Sequence, residues 1–325
     1  MADAARRLRA IVRERRPDIV HANSTRAGLL AIPAACGISP VVVHCRDALP
    51  SGRAGALVAR ALIVGADGLV GISGHVAVTL GGQNWAARRI SVVDNAIDLE
   101  RFDPSSLPGK ADCRSTLGLG SDLVLSVIAQ ITPWKGQDVA IETVAELRRR
   151  GRDAHLLVVG ETKFLGPTTR FDNRAFERTL HALVETRALG DRVHFLGERG
   201  DPELILAASD VLLVPSTDEP FGRTIVEAMA MGVPVAATSV GGPREILRDG
   251  IGGLLVRGRD ASAWADAVEA LAVWPADRGA AARAEANVRF SRARHTSAML
   301  AVYDGAIANR RLGHRYLPVP RWVRR

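Results

Sequence analysis

Short, continuously apolar runs alternate with helical periodicities along nearly the whole chain, and this alternation limits the fold more than any other feature. The runs are Asp18–Ala22, Pro40–His44, Gly68–Ile72 and Ile90–Asp94, then Leu123–Ala129, Ala154–Gly160, Arg192–Gly197, Asp210–Pro215, Val233–Thr238 and Gly253–Val256. Strands that are apolar at every position, not every second one, are covered on both faces. Between them Asp3–Arg16, Gln137–Arg150, Ala175–Ala188, Arg223–Met231 and Ala261–Val273 space apolar residues three and four apart. In Gln137–Arg150 the buried face is Val139, Ala140, Val144 and Leu147, and Gly151 ends the helix. Repeated β-α units predict an α/β fold class with parallel sheets and helices on both faces.

The pattern breaks at Asp103–Gly109 (DPSSLPG), a Pro/Ser/Gly stretch that reads as a linker. With 325 residues the chain is long enough for two domains. The expected division is 1–108, 109–289 and a C-terminal segment 290–325, whose helix Arg292–Asn309 would cross back to the first domain. Two doubly wound, Rossmann-like domains follow, with ligands at the carboxyl ends of the strands. The first domain opens on a helix where such a domain usually opens on a strand and a glycine turn. It is therefore expected to be incomplete by about 70 residues. A start codon placed too late, a true truncation covered by a partner, and a degenerate protein all remain open. An uncovered sheet edge would favour aggregation.

Charge narrows the classes further. Basic residues outnumber acidic ones 43 to 35, but only Lys110, Lys135 and Lys163 are lysines and the rest are arginines. That bias reads as GC-rich, bacterial coding. No block of cations interleaved with aromatics occurs in the body of the chain, which argues against a nucleic-acid partner. Arg310, Arg311, Arg315, Arg321, Arg324 and Arg325 do gather at the end, around Tyr316 and Trp322. Such a tail either frays in water or rests on an anionic bilayer. No apolar stretch is long enough to span a membrane, and residues 1–16 do not resemble a signal peptide. Cys36, Cys45 and Cys113 have no paired spacing, as suits a reducing compartment. The expected location is cytoplasmic, with peripheral contact at the inner face of the membrane.

Two segments carry chemistry. In SDVLLVPSTDEPFGRTIVEAMAMGVPV (209–235) a strand ends at Pro215-Ser216, a loop follows, and a helix begins near Arg223. Gly222 lets backbone approach a ligand, and the helix start offers free N–H groups to an anion. Glu227, inside the helix, is placed to accept hydrogen bonds from a vicinal diol; Glu219 precedes it by eight residues. In AQITPWKG (129–136) Lys135 stands where a helix begins, against the dipole. An anion shared by Lys135 and the helix at 223 would resolve that conflict.

The stretch from about Leu123 to Val256 resembles the nucleotide-sugar-binding domain of GT-B glycosyltransferases of family 4, a retaining family. EPFGRTIVE (219–227) matches its E-x7-E motif and WKG (134–136) its Lys-Gly turn. HLLVVGE (155–161), RVHFLGE (192–198) and SVGGPREIL (239–247) follow in the family's order, and VVDNAIDLERF (92–102) is similar to its segment before the linker. The resemblance implies that Lys135 binds the donor diphosphate and Glu219 contacts the transferred sugar. Phe221 and Gly222 would lie against that sugar, Thr224 would hold phosphate, Glu227 the ribose hydroxyls, and Gly197 would sit under the base. His44, after the strand in VVVHCRD, would face sugar and acceptor; a hydrogen-bonded core imidazole is the plain alternative. The implied reaction is hexose transfer from a UDP- or GDP-sugar to a lipid-linked or polysaccharide acceptor in envelope glycan synthesis. It would retain anomeric configuration and need neither metal nor other cofactor; no Asp-x-Asp occurs in the chain.

One departure concerns charge. Relatives carry an Arg five residues before the Lys, where this chain has Gln130. Losing a charge-assisted bond weakens leaving-group stabilisation by roughly 1–2 kcal/mol, unless a group such as Arg223 compensates. The competing readings are an inactive nucleotide-sugar-binding scaffold and, less favoured, an epimerase or phosphorylase. A dinucleotide dehydrogenase is disfavoured because no G-x-G-x-x-G follows a strand.

Overall fold

The computed structural model describes residues 2–84, 86, 90–163, 166 and 171–311. The basic-aromatic end beyond residue 311 lies outside the described residues. The chain divides into two compact units, one of Met1–Ala96 with Arg292–Arg325, the other of Ile97–Ser291.

The first unit runs α1 (Ala2–Arg15), β1 (Val20–Ala22), α2 (Thr25–Ala35), β2 (Val41–Cys45), α3 (Arg53–Gly65), β3 (Gly68–Gly71), α4 (Gly74–Gly81) and β4 (Ile90–Val92). Its strands form one parallel sheet in sequential order β1-β2-β3-β4. Ser24 and Ser73 cap α2 and α4 by accepting from Ala27 N and Val76 N, both at 3.1 Å. Arg9 of α1 reaches the open carbonyls at the end of α2, Ala34 O at 3.1 Å and Cys36 O at 3.0 Å. The C-terminal helix, Arg292–Arg311, packs on β2 and β3. Met299, Val302 and Ala306 of that helix join Val42, Val70 and Val93 in one buried cluster.

The second unit runs α5 (Lys110–Thr116), β5 (Leu123–Ile128), α6 (Gln137–Arg149), β6 (Ala154–Val159), α7 (Asn173–Thr186), β7 (Val193–Gly197), α8 (Pro202–Ala208), β8 (Val211–Val214), α9 (Arg223–Ala230), β9 (Val235–Thr238), α10 (Pro243–Ile246), β10 (Gly253–Val256), α11 (Ala261–Ala272) and α12 (Ala276–Arg289). All six strands are parallel, in the order β10-β9-β8-β5-β6-β7. The strand period of two sends Leu125 and Leu156 to one face, against Ile141 and Leu147 of α6 and Trp264 of α11. Val124 and Leu157 go to the other face, against Ile205 of α8.

Among the described residues, ten strands fall on the ten apolar runs. The contact boundary lies at Ala96/Ile97, upstream of the Pro/Ser/Gly stretch. Ile97 N donates to Phe290 O at 3.1 Å, Arg101 reaches Glu203 at 2.8 Å, and Asp103 pairs with Arg283 at 2.6 Å, so residues 97–103 belong to the second unit. Composition marks where regular structure stops, and contacts decide which core a segment joins. Helices α2 and α3 were not evident as helices in the pattern. Pro33 stands inside α2, and α3 lacks the charged face that makes a 3.6 period visible.

Candidate functional site

The order of the second sheet creates the site. Counted from β5, the strands run 3-2-1-4-5-6, so chain connections diverge between β5 and β8 and leave a crevice at their carboxyl ends. The loops that leave there, 129–136 and 215–222, are the two segments singled out by their chemistry.

They are fastened to each other. Thr217 N donates to Trp134 O at 2.8 Å. Gly136 adopts φ +75°, and a Cβ there would fall 2.2 Å from Pro215 O, so only glycine fits the turn. A third loop locks the second: Gly242 N donates to Glu219 O at 2.8 Å, and Glu219 bridges Gly241 as a strand would.

On this frame Lys135 Nζ donates to Glu219 Oε2 at 2.6 Å, and Ser216 Oγ donates to the same oxygen at 3.1 Å. The Lys135 ammonium also lies 4.1 Å from the Trp134 ring centroid. Gly222 precedes α9 and no side chain caps that helix, so its first N–H groups remain available to an anion. Arg223 Nη2 donates to Glu227 Oε1 at 3.1 Å. Glu227 is 5% exposed, and burial pushes its carboxyl above the ordinary range, with Arg223 opposing. Phe221 is buried with its ring edge toward Phe290, and Thr224 stands in the first turn of α9.

Gln130 follows β5 and Gly197 ends β7, two strands of the same sheet separated by β6. The Gln130 carbonyl accepts from Gln137 Nε2 at 2.9 Å, while its side chain leans toward Lys163 O at 3.4 Å. Gly197 O accepts from Gly160 N at 2.7 Å. The structure thus gathers Lys135, Glu219, Phe221, Gly222, Arg223, Thr224 and Glu227 around one crevice, with Gln130 and Gly197 on strand ends of the same sheet. Ser216 and the Gly241-Gly242 pair were missed as site residues; Pro-Ser and Gly-Gly directly after strands were the available signal.

His44 stands in the first unit, on β2. It is 1% exposed, and its Nε2 has no hydrogen-bond partner among the described residues. The His21 ring lies 5.6 Å away edge-on and the His295 ring 6.2 Å away stacked. His21 Nδ1 meets Tyr303 Oη at 2.7 Å, and His295 Nδ1 donates to Asp94 O at 2.8 Å. Burial first, then Arg46, His21 and His295, push the His44 imidazole down to about 3, so it is neutral at physiological pH. Among the described residues no cluster of His, Cys, Asp and Glu suits a metal ion.

A family model described as glycosyl transferases group 1 matches residues 114–285, more than half of the chain. The chain belongs to this family. A second model, Glycosyltransferase Family 4, matches residues 1–101 of this group 1 glycosyltransferase. A protein of Actinosynnema mirum described as D-inositol 3-phosphate glycosyltransferase is 37% identical over 227 residues, covering 67% of this chain and 52% of that one. One of the same description from Mycolicibacterium vanbaalenii is 32% identical over 317 residues, covering 91% and 69%. The match spans only about half the length of several such relatives. Among solved structures, Anabaena HepE in complex with UDP and glucose superposes with a TM-score of 0.81 at 24% identity, covering 91% of this chain and 80% of that one. Sucrose-phosphate synthase from Thermosynechococcus elongatus gives 0.77, also at 24% identity, covering 94% and 77%. These neighbours share the fold: two parallel-sheet α/β units of the GT-B type. No helix among the described residues is long and apolar enough to cross a membrane.

Proposed function

We propose that this chain is a retaining hexosyltransferase that moves a sugar from a UDP- or GDP-linked donor, without metal, to a lipid-linked or polysaccharide acceptor of the bacterial envelope. The observation that carries the reading is the meeting of Lys135, Glu219 and the open N-terminus of α9 at the β5/β8 crevice. A nucleoside diphosphate needs a cation and oriented N–H groups on its phosphates, and a carboxylate on its ribose diol. Lys135, the α9 terminus and Glu227 have that chemistry, and Gly197 at the end of β7 leaves backbone on which a base can lie.

The chemistry then follows from charge. As the glycosidic bond to the diphosphate breaks, negative charge grows on the leaving oxygen. Lys135 and the first N–H groups of α9 are fixed in advance to meet it. Glu219, released from Lys135 by the phosphates, turns to sugar hydroxyls, with Phe221 and Gly222 behind the ring. Gln130 supplies one neutral donor in place of a charge.

The relatives' description supports a second reading, in which the acceptor is D-inositol 3-phosphate. Thermal melting against UDP, GDP and ADP tests the donor site. A selective upward shift, lost in Glu227→Ala and Lys135→Ala, is expected and names the base. Shifts that both variants keep would place the donor elsewhere. Turnover with inositol 3-phosphate and with lipid-linked sugar then decides the acceptor. Donor binding without turnover on either would favour the inactive scaffold.

A further inference from the structure

Helix α3 exposes a face that a water-facing helix ordinarily fills with mixed charge. Its thirteen residues, RAGALVARALIVG, contain no carboxylate and no polar group other than Arg53 and Arg60. Gly55, Ala59 and Leu62 face inward and are buried. On the opposite side, Arg53, Leu57, Arg60 and Val64 recur at helical spacing along one stripe. Leu57 is 69% exposed and Val64 57%. Single exposed apolar residues are ordinary on a protein surface, but two on one stripe, alternating with two arginines and flanked by Ala54 and Ala61, are an amphipathic design turned outward. Asp67, the carboxylate that follows the helix, is turned inward to Val41 N at 2.8 Å and does not neutralise the stripe.

We propose that this face of α3 docks on an anionic lipid surface. The apolar residues would enter the boundary of headgroup and acyl chain, and the arginines, with long apolar stems, would spread over their sides toward lipid phosphates. Charge decides between occupants. The stripe is purely cationic, so a second copy of itself would set arginine against arginine. A helix of this length is roughly 20 Å long and 10 Å wide, well below the area of a stable protein interface. An anionic bilayer asks for neither self-complementarity nor a large matching surface. The inference is independent of the donor site.

The test is co-sedimentation of the full chain with phosphatidylcholine vesicles, with and without phosphatidylglycerol, at low and high salt. Binding is expected only with phosphatidylglycerol, and it should weaken with salt. Leu57→Glu with Val64→Glu should abolish it, while the melting temperature stays at the wild-type value because both side chains are already in water. Arg53→Gln with Arg60→Gln should weaken binding about 25-fold, at about five-fold per arginine. Three results would overturn the proposal. One is no binding to anionic vesicles. Another is unchanged binding of the Leu57/Val64 variant, which would assign the membrane contact to the arginines beyond residue 309. The third is a wild-type dimer in light scattering that the same variant turns into monomer.

Discussion

The two units are built from the same β-α repeat, and among the described residues their strand orders differ. In the second, the sheet order reverses between β5 and β8, and in the first the four strands follow sequentially. Where the order reverses, loops diverge and polar groups are left at strand ends, open to a ligand. There Lys135, Glu219 and the α9 terminus meet. In the sequential sheet the central polar side chain, His44, is enclosed among His21, His295 and the C-terminal helix. The same repeat thus yields a crevice in one unit and a buried imidazole cluster in the other, and the variants below separate the two.

The largest effect is expected from Gly136→Ala. A Cβ there meets the Pro215 carbonyl at 2.2 Å in a backbone already at φ +75°. Strain and overpacking together should cost about 2–4 kcal/mol and part the loops. Gly37→Ala in the first unit has the same positive φ, +78°, with nothing within 4 Å, and should cost only about 1–2 kcal/mol. Equal melting shifts for the two variants would mean that the Gly136 contact does not hold the crevice together. Next comes Lys135→Ala, which should lower kcat about 100-fold or more and also lower the melting temperature, because the buried Glu219 carboxylate loses its cation. A change confined to KM would show that Lys135 binds donor equally in ground and transition states.

Much of this was legible in the residues. The continuous apolar runs located every described strand, and the lysine at a helix start marked Lys135, which the structure pairs with Glu219. What stayed hidden depends on contacts distant in sequence. Nothing in SVGGPRE shows that Gly242 will bond the Glu219 carbonyl, and nothing in DIVHA that His21 will lie beside His44. The segment 97–103 makes its contacts with the second unit, which its irregular composition does not show. Helix α3 escaped for the reason that makes it interesting: it has almost no polar residues to set a period.

Titration separates His44 from Glu227 by sign. His44 is held neutral at about 3, well below its ordinary 6.5. The unfolded chain therefore binds more protons, and the first unit loses stability as pH falls below 6.5, by about 1.4 kcal/mol per pH unit. Glu227 is shifted the other way, so its contribution is present below the ordinary glutamate range and fades as pH rises through its folded value. Hydrogen exchange at pH 7 and pH 5 should show amides of β2 and β3 losing protection while those of β8 and α9 do not. His44→Gln should remove the difference; an acid lability that survives it would assign the effect to other groups.

The smallest predicted effect bears on Gln130, where the resemblance in sequence led to the expectation of an arginine. Gln130 follows β5 without a charge, and its side chain is spent on a long contact, 3.4 Å, to the Lys163 carbonyl. Arg223 is half the answer at most, because its guanidinium is tied to Glu227 at 3.1 Å and two-thirds exposed. The guanidinium is largely in water while the Glu227 carboxylate is buried, so the phosphates can draw Arg223 away only where the ribose diol takes its place on that carboxylate. If Arg223 does so, Gln130→Arg adds a second charge to phosphates already served, and kcat should rise less than about three-fold. If Arg223 stays with Glu227, the restored charge-assisted bond should raise kcat about ten-fold, in line with roughly 1–2 kcal/mol for such a bond. Combining Gln130→Arg with Arg223→Ala distinguishes these: an arginine at 130 that rescues the loss at 223 shows the two positions share one anion, whereas independent effects show that Arg223 serves only to hold Glu227.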